Sequence, residues 1–246
     1  MEMVDLYVGP NKVHFSVHKE LLCNKIPYFD KMFKGTFQEA AVNSATFPED
    51  LPETFDLLVE WVYSGTIRPL TMIPGPDPQQ PSAYRLSYPC TQFYSLADKI
   101  CMPELIDLIM SRFHQVWREW RFLPSLNSIT ETYSTTSEDS PMRRFMCMSY
   151  YYMASHGHEE HWPAESVSRA LLEIDGLAAD LIRLTRQTKG AVYHPSQISA
   201  CNFHCHDKTA PCALRGNEMP VGFAAAPGYF GGSGHSFGVG IQVNMW

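Results

Sequence analysis

The strongest chemistry in this 246-residue sequence lies toward its C-terminal end. Cys201-Asn202-Phe203-His204-Cys205-His206, followed by Cys212, gathers thiols and imidazoles into one short span. Thiolate and imidazole are the ligands that zinc prefers, and a closed structural site takes four of them. Cys201, His204, His206 and Cys212 supply four, with Cys205 in reserve. The spacing C-x2-H-x-H-x5-C departs from zinc-finger patterns, and ligands one residue apart are awkward on a single loop. Two readings therefore stand: a structural zinc site, or a Cys/His-rich strand or loop packed against a helical lobe with its thiols buried.

Other groups of reactive residues are weaker. His156-Gly157-His158-Glu159-Glu160-His161 lacks the helical register of H-E-x-x-H, because Gly157 breaks the helix and the two carboxylates are adjacent. It reads as a solvated loop between two helices. No G-x-S-x-G elbow and no Walker or Rossmann loop occurs. Gly231-Gly232-Ser233-Gly234 has no strand before it and no helix after it, so it reads as a flexible segment. These absences point away from an enzyme.

Bulk properties narrow the class further. A formal charge of −7 and a pI near 5.8 disfavour a nucleic-acid or membrane-surface binder, which needs concentrated Lys and Arg. No eighteen-residue apolar run predicts a membrane span. Glu2 and Asp5 stand where a secretory signal would carry basic and then apolar residues. Four of the seven cysteines, Cys23, Cys90, Cys101 and Cys147, fall in apolar or helical stretches, as buried thiols would. That usage fits a reducing compartment, the cytosol or nucleus.

The elements that position these groups follow from periodicity. Val4, Leu6 and Val8 alternate on one face, Gly9-Pro10-Asn11 makes a turn, and Val13, Phe15 and Val17 repeat the alternation, predicting a β-hairpin. Leu22, Ile26, Phe29 and Phe33 form a helical stripe from His18 to about Lys34, with a break at Pro27 and a stop at Gly35. Ser44-Ala45-Thr46-Phe47 is a short strand. Asp50-Leu51-Pro52-Glu53 opens a helix with a cap and a proline, buried through Phe55, Leu58, Val59 and Val62 and ended at Ser64-Gly65.

Residues 69–89 hold six prolines and read as a surface loop or disordered insert. Beyond it, Phe93, Leu96, Ala97 and Ile100 mark one helix, and Ile106, Ile109, Met110, Phe113 and Trp117 another. Ser140-Pro141 starts a further helix through Phe145, Met148 and Tyr152. Val167, Ala170, Leu171, Ile174, Ala178 and Leu181 hold one register after Pro163, with Gly176 placed to split it. From Asn217 the chain is rich in Gly, Ala and single aromatics and reads as a disordered tail.

This order of elements, with the residues that mark it, resembles a BTB/POZ domain over roughly residues 4–118. The resemblance rests on Asp5, on Phe15-Ser16-Val17-His18-Lys19-Glu20-Leu21-Leu22, and on Ile26-Pro27-Tyr28-Phe29-Asp30-Lys31-Met32-Phe33. It rests also on Trp61-Val62-Tyr63-Ser64-Gly65, and on Tyr94-Ser95-Leu96-Ala97-Asp98-Lys99 followed by Met102-Pro103-Glu104-Leu105. Ile129 to Tyr133 and Ser140-Pro141-Met142-Arg143-Arg144-Phe145 are similar to the helical extension of BTB proteins common in filamentous fungi.

The resemblance, together with the composition of the residues beyond it, implies an α+β chain with four parts. A BTB/POZ domain, a small β-sheet packed with helices, occupies 1–118 with its proline-rich insert at 69–89. An all-α extension covers 119–190, a Cys/His-rich segment 191–216 and a Gly-rich tail 217–246. It implies an adaptor or scaffold that binds other proteins, and makes His18 a structural hydrogen-bonding residue. Some relatives bind a cullin scaffold of ubiquitin ligases through a hydrophobic-x-Glu motif after the first helix pair. Phe37-Gln38-Glu39 stands at the matching place. That makes Phe37 and Glu39 the candidate partner contacts, unless Phe37 only covers the core. Only Met1-Glu2-Met3-Val4 precede Asp5, so the N-terminally exchanged dimer of many relatives is not expected. The alternative to an adaptor is a zinc-stabilised module with a nucleic-acid or redox role, built on the Cys/His cluster.

Overall fold

The computed structural model describes residues 2–76, 84–207 and 211–214. Strands β1 (Met3–Val8) and β2 (Val13–His18) pair antiparallel around a turn in which Gly9 takes φ 76°. Val4, Leu6, Val8 and Val17 are fully buried. The inward face expected of the second strand frays toward the turn, leaving Val13 exposed and Phe15 half-buried. Strand β3 (Ser44–Phe47) lies parallel to β1 on its other side, giving the order β2-β1-β3. A parallel return needs a crossover. Three helices make it.

Helices α1 (Lys19–Lys25) and α2 (Pro27–Lys34) meet at Ile26, whose extended backbone breaks the helix where Pro27 begins the next one. Leu22, Ile26, Phe29 and Phe33 still share one buried stripe. The five-residue helix α3 (Gln38–Val42) follows and ends at Asn43 in the left-handed region. Helix α4 (Pro52–Ser64) is not capped by Asp50, as the sequence suggests. Leu51 is its N-cap, and the Asp50 carboxylate pairs with Lys99 Nζ at 2.7 Å.

The proline-rich stretch requires a correction at both ends. Met72–Pro74 (β4) and Tyr84–Leu86 (β5) form an antiparallel ribbon, and Leu70, Met72, Leu86 and Tyr88 are buried. A two-stranded ribbon tolerates Pro74 at a strand end because no central ladder needs its missing N–H. The middle of the insert, 77–83, and the Gly-rich tail from 217 lie outside the described residues.

Helices α5 (Cys90–Lys99) and α6 (Pro103–Trp120) complete the first unit, α6 running two residues past the boundary expected at 118. The extension adds α7 (Leu126–Thr135), α8 (Pro141–His156), α9 (Ala164–Glu173) and α10 (Leu177–Thr188). Ser125 and Ser140 accept from backbone N–H groups at the starts of α7 and α8, and Gly157 ends α8. Gly176, at φ 80°, separates α9 from α10. The architecture is α+β.

One interior runs through both parts. Leu22, Phe29, Phe55, Leu96 and Ile109 are buried and Val59 is half-buried against them, while Phe113 stacks edge-on to Phe145 at 5.1 Å across α6 and α8. Cys23, Cys90 and Cys147 are buried, but Cys101 is exposed, a correction to its expected burial. It sits at φ 56° in the sharp turn between α5 and α6, where its side chain faces outward. Among the described residues no helix is long and apolar enough to cross a membrane.

Candidate functional site

Two places carry the residues singled out by sequence. The first is the turn between α2 and α3. A Cβ on Gly35 would come within 2.3 Å of the Lys31 carbonyl oxygen, so only glycine lets the chain fold back this tightly behind α2. The turn then delivers Phe37 to the N-cap position of α3 with an extended backbone. Phe37 is 60% exposed and is the exposed phenylalanine among the described residues. The reading in which it covers the core is thereby corrected. Phe33, one turn earlier on α2, fills that interior position and leaves Phe37 to solvent. Glu39 lies half-buried in the first turn of α3, where a carboxylate is favoured by the helix dipole. Val42, also 60% exposed, extends the apolar surface along the same short helix. The sequence reading missed Val42, because five residues are too few to show a period.

The second place is the Cys/His segment. Ala200–Phe203 forms a 3₁₀ turn whose Phe203 ring is fully buried against Phe145 and His114. Arg144 of α8 donates to the Asn202 carbonyl at 2.6 Å, and the Cys205 N–H donates to Asp107 of α6. Held at these points, the segment brings the ligand atoms of Cys201, His204, His206 and Cys212 within 4.8 Å of one another. Cys205, the reserve ligand, does not join them; desolvation and the neighbouring Asp107 push its thiol up to about 11.

The two imidazoles of this group are oriented from behind. His204 Nε2 lies 2.9 Å from Ser111 Oγ, and His206 Nδ1 lies 2.9 Å from the Asp207 carbonyl oxygen. A carbonyl only accepts, so His206 Nδ1 carries the proton, and this bond holds the His206 pKa above its ordinary value. The opposite nitrogens, His204 Nδ1 and His206 Nε2, face each other at 3.2 Å, and Cys212 Sγ is 3.6 Å from His204 Nδ1. Asp107, Ser111 and Arg144 escaped the sequence reading. Asp107, Ser111 and His114 fall at i, i+4 and i+7 on α6, and that polar stripe in an apolar helix was the available signal.

The remaining groups form no such arrangement. His158-Glu159-Glu160-His161 is a turn, and among the described residues the Cys201 cluster is the one group of three or more potential ligands brought together. Burial pushes the Cys23 thiol up, and the Cys147 thiol up to about 12. That is opposite to what a nucleophilic thiol requires.

A family model described as the BTB/POZ domain matches residues 2–113, which span β1 through most of α6. No curated protein matches the chain.

Proposed function

We infer, from the BTB/POZ domain that residues 2–113 form, that the chain is a protein-interaction adaptor whose α2–α3 turn docks on a cullin-type ubiquitin-ligase scaffold. The observation that carries this reading is the exposure of Phe37 beside Glu39. A phenylalanine at a helix mouth with most of its surface in solvent offers a ready anchor to a partner. Burying such a ring is worth about 2 kcal/mol, and anchors of this kind carry most of an interface's affinity. Glu39 supplies the charge that fixes register, and Val42 widens the apolar patch. The buried, protonated thiols fit action in the cytosol or nucleus.

Calorimetric titration of the full chain with the N-terminal region of a cullin tests this. Phe37→Ala is expected to weaken binding by about 30-fold, the affinity equivalent of about 2 kcal/mol. Glu39→Lys should abolish it, with circular dichroism unchanged in both. Absence of cullin binding, or binding indifferent to both changes, would overturn the cullin assignment.

A further inference from the structure

We propose that Cys201, His204, His206 and Cys212 bind one zinc ion in a closed tetrahedral site that cross-links the C-terminal segment to itself where it lies against α6 and α8. The site stands apart from the α2–α3 surface and does not depend on the adaptor reading.

The argument is geometric. Zinc holds nitrogen at about 2.0–2.1 Å and thiolate at about 2.3 Å, so tetrahedral edges are about 3.3 Å between two nitrogens and about 3.6 Å between nitrogen and sulfur. The observed His204 Nδ1 to His206 Nε2 distance is 3.2 Å, and Cys212 Sγ to His204 Nδ1 is 3.6 Å. All four ligand atoms lie within 4.8 Å of one another, so the wider pairs close by about 1 Å to reach the edge of about 3.8 Å that two thiolates span on one ion. Ligands one residue apart, awkward on a regular element, become compatible because His204, with an extended backbone, and His206, in the bend that follows, present different nitrogens, Nδ1 and Nε2.

The supporting contacts match a metal site as well. Metal-binding histidines direct the far ring nitrogen to an oxygen that fixes tautomer and orientation. Ser111 Oγ stands at that position for His204 and the Asp207 carbonyl for His206. His204 is 6% exposed, so the centre sits at the protein wall rather than on a solvated loop. Phe203, the Arg144 bond and the Asp107 bond fix the backbone between and beside the ligands without using any ligand atom.

Charge balances. Binding displaces the two thiol protons to solvent, the imidazoles stay neutral, and two thiolates cancel the charge of the ion. Two sulfurs and two nitrogens favour zinc over the oxygen-seeking cations, and four protein ligands leave no open position for substrate. The centre is structural: it would close residues 201–212 into one rigid loop, which Ser111 and Asp107 meet from the last helix of the BTB domain.

Elemental analysis and native mass spectrometry of the full chain, purified without chelator, test the proposal. One zinc per chain is expected in the wild type and in Cys205→Ser. The double variant Cys201→Ser/Cys212→Ser should fall below a tenth of that occupancy. Cobalt added to the metal-stripped chain should give the visible absorption of a tetrahedral thiolate site, in the wild type and Cys205→Ser alike. Should the double variant fail to fold, metal content and cobalt spectrum of the other two proteins decide alone. Wild type and Cys205→Ser that take up neither ion would overturn the proposal. So would full zinc retention by a folded double variant, or a mass showing Cys201 and Cys212 joined as a disulfide.

Discussion

His18 and Tyr63 hold each other across the BTB domain: the Tyr63 hydroxyl lies 2.6 Å from His18 Nδ1 and accepts from the His18 backbone N–H at 3.1 Å. The rings meet edge-on, with centroids 5.7 Å apart. His18 ends β2 and is the N-cap of α1, while Tyr63 lies in the last turn of α4. One hydroxyl therefore serves a helix start that has no side-chain cap of its own. Two motifs 45 residues apart are joined by it.

Tyr63→Phe removes both bonds and keeps the ring. The pair is partly exposed, so water replaces some of what is lost. The expected cost is about 0.5–1.5 kcal/mol, read as a lower urea midpoint with unchanged slope. An unchanged midpoint would show that the bond contributes nothing.

Much of the fold can be read from periodicity because each stripe reports a face. Val4, Leu6 and Val8, and then Leu22, Ile26, Phe29 and Phe33, are buried as their spacing requires. What stays hidden is set by distant partners. Asp50 looks like a cap but is taken by Lys99, and the ribbon of β4 and β5 hides among prolines. In the Cys/His segment the four candidate ligands are visible in the sequence. Their supports are not, since Ser111 and Asp107 lie 93 and 98 residues from the groups they hold.

Glu131 predicts a pH dependence of stability. Its carboxyl, on α7, accepts from the Gln92 side chain of α5, and burial pushes its pKa from 4.5 up to about 7. The folded state keeps a proton that the unfolded chain releases between those values. Stability contributed here is thus full below about 4.5 and falls as pH rises to about 7. Glu131→Gln keeps an acceptor for Gln92 and cannot ionise. It should raise the melting temperature at pH 8 by about 2–4 °C, roughly 1 kcal/mol after allowance for partial solvent access. The gain should vanish by pH 4. A gain independent of pH would contradict the assignment.

Gly176 and Arg143 make a second test. Arg143 is 8% exposed at its side chain, lies over the Tyr133 ring at 4.2 Å and reaches Asp180 at 3.7 Å, to which Tyr133 also donates at 3.0 Å. A Cβ at Gly176 would fall 2.5 Å from the Arg143 guanidinium, at a backbone φ of 80°. Gly176→Ala is expected to cost about 2–4 kcal/mol, combining left-handed strain with displacement of a buried, paired charge. Gly190 has nearly the same φ, 81°, but open space around its Cβ position. Gly190→Ala should cost only the backbone part, about 1–2 kcal/mol. Equal losses in the two variants, measured by chemical denaturation, would show that Arg143 moves aside freely.

Phe203 decides whether the C-terminal segment belongs to the folded body. Its ring is fully buried, 5.2 Å from Phe145 and 5.8 Å from His114, so it plugs the seam between α6 and α8. Phe203→Ala removes that ring and leaves a cavity that the flanking aromatic residues cannot close, at a cost of about 3–5 kcal/mol if the segment unfolds with the rest. A segment that merely docks would instead peel away at little cost to the remainder. Limited proteolysis separates the cases, because peeling frees the backbone after α10 for cleavage following Lys189 while the BTB domain stays resistant. The shared packing of Phe203, Phe145 and Phe113 in one interior predicts the cooperative loss. A single unfolding transition, moved to lower denaturant, is its signature.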